Sequence, residues 1–124
     1  MIFGIGTDII EVERIKDSIE KYGEKFLSRI FTDSEREYCE SYGQNKFLHY
    51  AARFAAKESF SKAIGTGITS GFKFNEIAVR NEESGKPFIE LYGGLYEKYS
   101  GYEINLSLSH TQGNAVAFLI IMND

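Results

Sequence analysis

Four residues of the 124-residue chain stand apart for the chemistry that their types and settings allow: Asp8, Glu58, Lys62 and His110. Asp8 closes a run of isoleucines and glycines (Ile2, Phe3, Gly4, Ile5, Gly6, Ile9, Ile10). A charged carboxylate in such company costs several kcal/mol unless it is paired or metal-bound. Helix N-capping is the plain structural alternative, because a helix starts soon after Asp8. Glu58 and Lys62 lie four apart, one above the other on the same face of a helix. Taken alone they read as a helix-supporting ion pair worth a few tenths of a kcal/mol. If that helix packs on the strand, the two acids meet. Two hard oxygen ligands suit Mg²⁺, which keeps waters and completes its shell from phosphates. Lys62 would then set a cation beside an anionic phosphate ester. Arg53 and Lys57, also four apart, either take further phosphate charge or form a solvated cationic face. His110 sits where a strand enters a tight turn, whereas His49 reads as structural or solvent-exposed. One cysteine and two histidines are too few for a usual structural zinc site. There is no P-loop and no Gly-x-Gly-x-x-Gly. Cys39, in an ordinary helix, reads as packing rather than as a nucleophile.

The elements that must carry these residues follow from pattern. Ile2 to Ile10 reads as a buried first strand, in which glycine marks close approach by a neighbour. Val12 to Tyr22 is a helix with Val12, Ile15 and Ile19 inward and Gly23 as its stop. Glu24 to Phe31 is a short second helix. Thr32-Asp-Ser-Glu35 is a capping box opening a helix to about Ser41. The central element is a long helix from about Asn45 to Ile64, ended by Gly65. Phe47, Leu48, Ala51, Ala52, Ala55, Ser59 and Ala63 recur along it at helical steps, and the small side chains let another backbone come close. A loop, Thr66 to Phe74, leads to a hairpin of Glu76–Arg80 and Pro87–Leu91. A short helix, Leu95–Tyr99, and a second hairpin, Tyr102–Ser109 with Ala115–Met122, complete an α+β domain spanning 1–124. Its antiparallel sheet packs on the long central helix.

Composition narrows the classes. Hydrophobic residues at 43% and charged residues at 26% are ordinary for a globular domain. Ten Phe and eight Tyr predict a core or subunit interface built of large rings. The lone cysteine fits a reducing compartment. No apolar run has membrane-spanning length, and the N-terminus lacks signal-peptide character, so a cytoplasmic protein with no membrane partner is expected. A net charge of −4 argues against general nucleic-acid binding. Arg14, Lys21 and Lys25, with Arg29 near them, fall toward one side of the first two helices. Interleaved acids make a solvated mixed-charge face the default there.

Three blocks carry a resemblance: Gly4 to Ile10, Arg53 to Ala63 followed by Gly65 to Ile68, and Leu106 to Thr111. In order and spacing they resemble the signature blocks of the holo-[acyl-carrier-protein] synthases, the small bacterial type of 4′-phosphopantetheinyl transferase. Gly85 to Pro87 fits as well. Thr7, where hydrophobic residues are frequent, and Ser59, where alanine is common, are mild departures. The resemblance implies the 4′-phosphopantetheinyl transferase fold and transfer of phosphopantetheine from coenzyme A to a serine of apo acyl carrier protein. Adenosine 3′,5′-bisphosphate is the other product, and the reaction serves fatty acid biosynthesis. It implies Asp8 and Glu58 as Mg²⁺ ligands, with Lys62 holding or protonating the leaving phosphate. The base for the serine stays open between a carboxylate itself and a water that Glu58 positions. Arg53, Lys62, Gly65, Thr66, His110 and Thr111 are implied as coenzyme A contacts. A homotrimer with active sites between subunits is implied too. Arg14, Lys21 and Lys25 become candidates for docking the acidic carrier protein, acting mainly on encounter rate.

Overall fold

The computed structural model describes residues 1–65 and 73–123. Strand β1 (Ile2–Glu11) leads into helices α1 (Val12–Tyr22), α2 (Glu24–Ile30) and α3 (Asp33–Glu40). A 3₁₀ turn, Gly43–Asn45, precedes the long helix α4 (Lys46–Ile64). A second 3₁₀ turn, Phe74–Glu76, opens strand β2 (Ile77–Asn81), which pairs with β3 (Pro87–Leu91). Helix α5 (Gly93–Tyr99) and strands β4 (Glu103–His110) and β5 (Asn114–Met122) complete the order. This is the expected α+β architecture, with the sheet divided: β1-β5-β4 form one antiparallel sheet and β2-β3 a separate hairpin.

Register decides which side chains meet α4. Gly4, Gly6, Asp8 and Ile10 stand in rows with Ile121, Leu119, Ala117 and Ala115 of β5, and these with Ile104, Leu106, Leu108 and His110 of β4. Ala115, Ala117, Leu119 and Ile121 are fully buried under the helix. The opposite face holds Ile5, Ile9 and Phe118, and it is open: Ile9 is 65% exposed and Ile5 54%. The first strand is therefore covered on one face, not on both as its run of isoleucines suggests.

Gly4 and Gly6 explain how close the helix comes. A Cβ on Gly6 would run into the Ser59 carbonyl, and one on Gly4 into the Ala63 carbonyl. The strand lies on helix backbone, and any larger residue would lift it away. The departures at Thr7 and Ser59 have a shared role. Their hydroxyls donate to the same Ala117 carbonyl, at 3.1 Å and 3.2 Å, and tie β1 and α4 to β5. Gly65 ends α4 in the left-handed conformation (φ 81°), its N–H bonded to Lys62 O at 3.1 Å.

The predicted capping box is present. Thr32 Oγ1 accepts from Glu35 N–H, and Thr32 N–H donates to Glu35 Oε1 at 2.9 Å. The same carboxylate does more: it accepts from Lys57 Nζ at 2.6 Å and from Val79 N–H at 2.9 Å, with both side chains wholly buried. Lys57 Nζ also donates to the carbonyls of Ile30 (2.7 Å), Phe74 (3.0 Å) and Ile77 (2.7 Å). Burial pulls the ammonium's pKa down and Glu35 works against it. Four acceptors converge on Nζ, which is the setting of a charged ammonium. One ion pair thus joins α2, α3, α4 and the start of β2. This corrects the reading of Arg53 and Lys57 as a solvated cationic face, and the Lys57 ammonium, taken up by these four acceptors, has no proton left for a phosphate. Both are buried, because α1 to α3 cover the side of α4 that the sheet does not.

Candidate active site

Asp8 is not a helix cap. β1 runs on to Glu11, which occupies the cap position of α1 without a side-chain hydrogen bond. Asp8 instead points from the helix-facing side of β1, beside the two glycines that seat α4. Glu58 comes from α4 one residue before Ser59, whose carbonyl Gly6 touches. The two acids line one cavity of about 370 Å³, together with Arg14, Ser18, Phe26 and Phe54. Burial raises the Glu58 pKa above the usual carboxylate range, the negative charge of Asp8 raises it further, and Lys62 lowers it. Lys62 does not form the expected pair with Glu58. Its Nζ reaches across to β1 and donates to Asp8 Oδ1 and Thr7 O, each at 3.0 Å. The Lys62 side chain stays 54% exposed and that of Asp8 15%.

Two carboxylates with a surplus of negative charge, opening on one cavity, fit a divalent cation. The donors are hard oxygens, so Mg²⁺ suits them. No cluster of three or more acidic, His or Cys side chains occurs among the described residues. A cation held here would complete its shell from waters and substrate oxygens, as Mg²⁺ does at phosphate sites.

The remaining predicted residues lie elsewhere. Five residues of helix separate Arg53 from Glu58, about 140° around the axis. Arg53 is 2% exposed; it donates to Asn81 Oδ1 at 2.7 Å and lies over the Tyr38 ring at 4.0 Å. His110 ends β4, two strands and one pleat from Asp8, on the order of 12 Å away. Thr111 follows it, exposed, with its Oγ1 accepting from Gly113 N–H (3.3 Å) and Asn114 N–H (3.1 Å). The hydroxyl proton of Thr111 is left to donate outward. Gly65 is exposed at the end of α4, and Thr66 lies outside the described residues. One copy of the chain therefore brings together Asp8, Glu58 and Lys62 and leaves Arg53, His110 and Thr111 on the far side of α4.

Arg14, Lys21 and Lys25 are all exposed. Arg14 borders the acid-pair cavity, and Lys25 lines a neighbouring hollow with Tyr22, Phe26 and Arg29. Phe26 lines both, so the basic face runs into the acid pair. Sequence reasoning missed Phe26 and Phe54 as cavity walls, since phenylalanines at helical spacing read first as core. Cys39 is fully buried, as expected, and burial pushes its thiol up to about 12.

Residues 4–119 match the model of the 4′-phosphopantetheinyl transferase superfamily. The holo-[acyl-carrier-protein] synthase of Ruminiclostridium cellulolyticum is 49% identical over 120 residues, covering 94% of this chain and 90% of that protein. The crystal structure of the Bacillus anthracis holo-(acyl-carrier-protein) synthase in complex with CoA (3′,5′-ADP) superposes with a TM-score of 0.84 at 38% identity, over 100% of this chain and 99% of the other. The Neisseria meningitidis holo-[acyl-carrier-protein] synthase gives 0.86 at 35% identity, over 99% and 100%.

Proposed function

The chain belongs to the 4′-phosphopantetheinyl transferase superfamily, as a holo-[acyl-carrier-protein] synthase, and from that membership we propose its reaction in detail. One domain, 1–124, moves the 4′-phosphopantetheine arm of coenzyme A to a serine hydroxyl of apo acyl carrier protein, in a Mg²⁺-dependent step of fatty acid biosynthesis. The serine oxygen bonds to the β-phosphorus of the coenzyme. The bond from that phosphorus to the bridging oxygen breaks, and adenosine 3′,5′-bisphosphate leaves with the bridging oxygen.

The observation that carries this reading is the convergence of Asp8 and Glu58 on one cavity with Lys62 alongside. Asp8 and Glu58 would hold Mg²⁺, which neutralises phosphate charge and makes phosphorus more electrophilic. Lys62, exposed and, among the described residues, tethered through Asp8 and the Thr7 carbonyl, is free to turn to a phosphate oxygen and hold the leaving group. Asp8 and Glu58 are the acidic side chains that the cavity offers the serine proton. Positioning and charge neutralisation dominate such a transfer. Arg14, Lys21 and Lys25 supply the face for the acidic carrier, and the hollow beside Phe26 leads its serine toward the acids.

Arg53, His110 and Thr111 complete the coenzyme site from a neighbouring copy in a homotrimer, with Gly65 and Thr66 at its nucleotide end. Two features support this. Those residues lie across α4 from Glu58, and the open sheet face bears Ile5, Ile9 and Phe118, an apolar patch of the kind subunits cover. The protein acts in the cytoplasm; no helix among the described residues is long and apolar enough to cross a membrane. Mass spectrometry of apo carrier protein mixed with coenzyme A, Mg²⁺ and this protein tests the reading. A carrier that gains one phosphopantetheine is expected. Asp8→Ala and Glu58→Ala should be folded and nearly inactive, and unchanged turnover in either would refute the assignment.

A further inference from the structure

The His49 ring sits in the middle of a group of side chains of which the reading above uses only Arg53 and His110. His49 rises from the first turns of α4, half-buried. It stacks on Tyr42 (3.7 Å, 28° between planes) and meets Tyr38 edge-on at 5.6 Å. On another side it meets His110 edge-on at 6.0 Å. Tyr38 in turn carries the Arg53 guanidinium on its face. Three cationic or protonatable groups are thereby gathered: Arg53 from α4, His49 from α4 and His110 from β4. Burial lowers the His49 pKa first, and the charges of Arg53 and His110 lower it further. No carboxylate acts on it. Glu40, at the end of α3, is engaged by the Tyr50 hydroxyl (2.8 Å) and Lys46 (3.3 Å), while Glu37 lines the cavity beside Arg53. Among the described residues neither imidazole makes a hydrogen bond to protein, so the nitrogens of both are available.

A guanidinium beside two imidazoles with free nitrogens makes surroundings that suit an anion. Coenzyme A carries two anionic groups. Its pyrophosphate belongs with Lys62 and the acid pair. Its 3′-phosphate is a monoester whose second pKa, about 6, lies near that of histidine, so it binds as a dianion and draws a proton onto an imidazole. We infer that His49 joins His110 and Arg53 as a third cationic arm for this phosphomonoester, and that it sets a preference for the 3′-phosphorylated coenzyme that strengthens as pH falls. Nine residues, about two and a half turns, put His49 on the opposite side of α4 from Glu58. The arm therefore serves a neighbour's acid pair in the proposed trimer. The inference rests on the coenzyme A reading of that site.

The test uses the whole protein with Mg²⁺ and carrier protein, and compares KM for coenzyme A with KM for 3′-dephospho-coenzyme A at pH 6.5 and pH 8. In the wild type the advantage of the 3′-phosphate should grow on going to pH 6.5. His49→Phe keeps a ring on Tyr42 and should reduce that advantage about tenfold at pH 6.5, with little change at pH 8 and kcat retained. His49→Arg, charged at both pH values, should restore the advantage and remove its pH dependence. Equal losses on both coenzymes, or identical ratios in wild type and His49→Phe, would overturn the inference while leaving the transferase reading intact. A wild type that uses neither coenzyme would overturn the transferase reading, and this one with it.

Discussion

Lys57 and Lys62 stand five residues apart on α4, and each meets a carboxylate from another element. Lys57 and Glu35 are sealed from solvent, and protein groups take up both charges: three carbonyls on the ammonium, two backbone N–H groups on the carboxylate. Asp8 faces a cavity, half of the Lys62 side chain beside it is exposed, and Glu58, the second acid of that cavity, forms no ion pair among the described residues. The first pair has no valence left for anything but the fold. The second holds charge in reserve. Pairing alone does not separate a structural ion pair from a reactive one; completeness of satisfaction does, because an incompletely neutralised cluster is what a metal or phosphate can enter.

Four substitutions put that contrast at risk. Lys57→Met should lose about 3–5 kcal/mol of stability in urea unfolding, since it strands a buried carboxylate and three carbonyls. A loss below about 1 kcal/mol would show the sealed pair to be dispensable. Lys62→Met should leave stability within about 1 kcal/mol of wild type, as exposed pairs do. Transfer should fall by about 100- to 1,000-fold, read as kcat in a phosphopantetheine-transfer assay. A stability loss as large as that of Lys57→Met would erase the distinction. Gly6→Ala pushes a methyl group into the Ser59 carbonyl and should cost about 1–3 kcal/mol, with a drop in transfer that Ser59→Ala does not share. The smallest effect is expected at Glu58. Its folded-state pKa is raised, so the folded chain keeps the proton at pH values where the unfolded chain has released it. The stabilisation is whole below about pH 4.5 and is lost as pH rises through the folded value. Glu58→Gln should therefore lift the thermal midpoint slightly at neutral pH without metal, by less than about 4 °C. Added Mg²⁺ should stabilise the wild type more than the variant.

Much of this was legible in the residues. The capping box, both hairpins, the long helix and its small-residue face all appear where pattern placed them. The acid pair was legible only as a possibility, because spacing says nothing of whether strand and helix touch. Two glycines on one face of a strand were the signal that they do. The depth of Lys57 was not legible: a spacing of four defines a face of α4, not what covers that face. Nor was the second task of Glu35, since the capping box already accounted for a glutamate there. His49 read only as structural or solvent-exposed because its neighbours come from α3, the turn after it and β4, which no local pattern joins. The open face of β1 was hidden by isoleucines on both sides, of which the helix needs only half.

Where Gly4 and Gly6 rest on the carbonyls of Ala63 and Ser59, main chain touches main chain with no side chain between to yield. Asp8 and Glu58 are each two residues or fewer from that seam, so their spacing works like the jaws of a clamp cast in one piece. Exchanging residues elsewhere in the cavity reshapes the grip without altering the gap. Any opening and closing needed to admit a long coenzyme must come from parts hung on this frame.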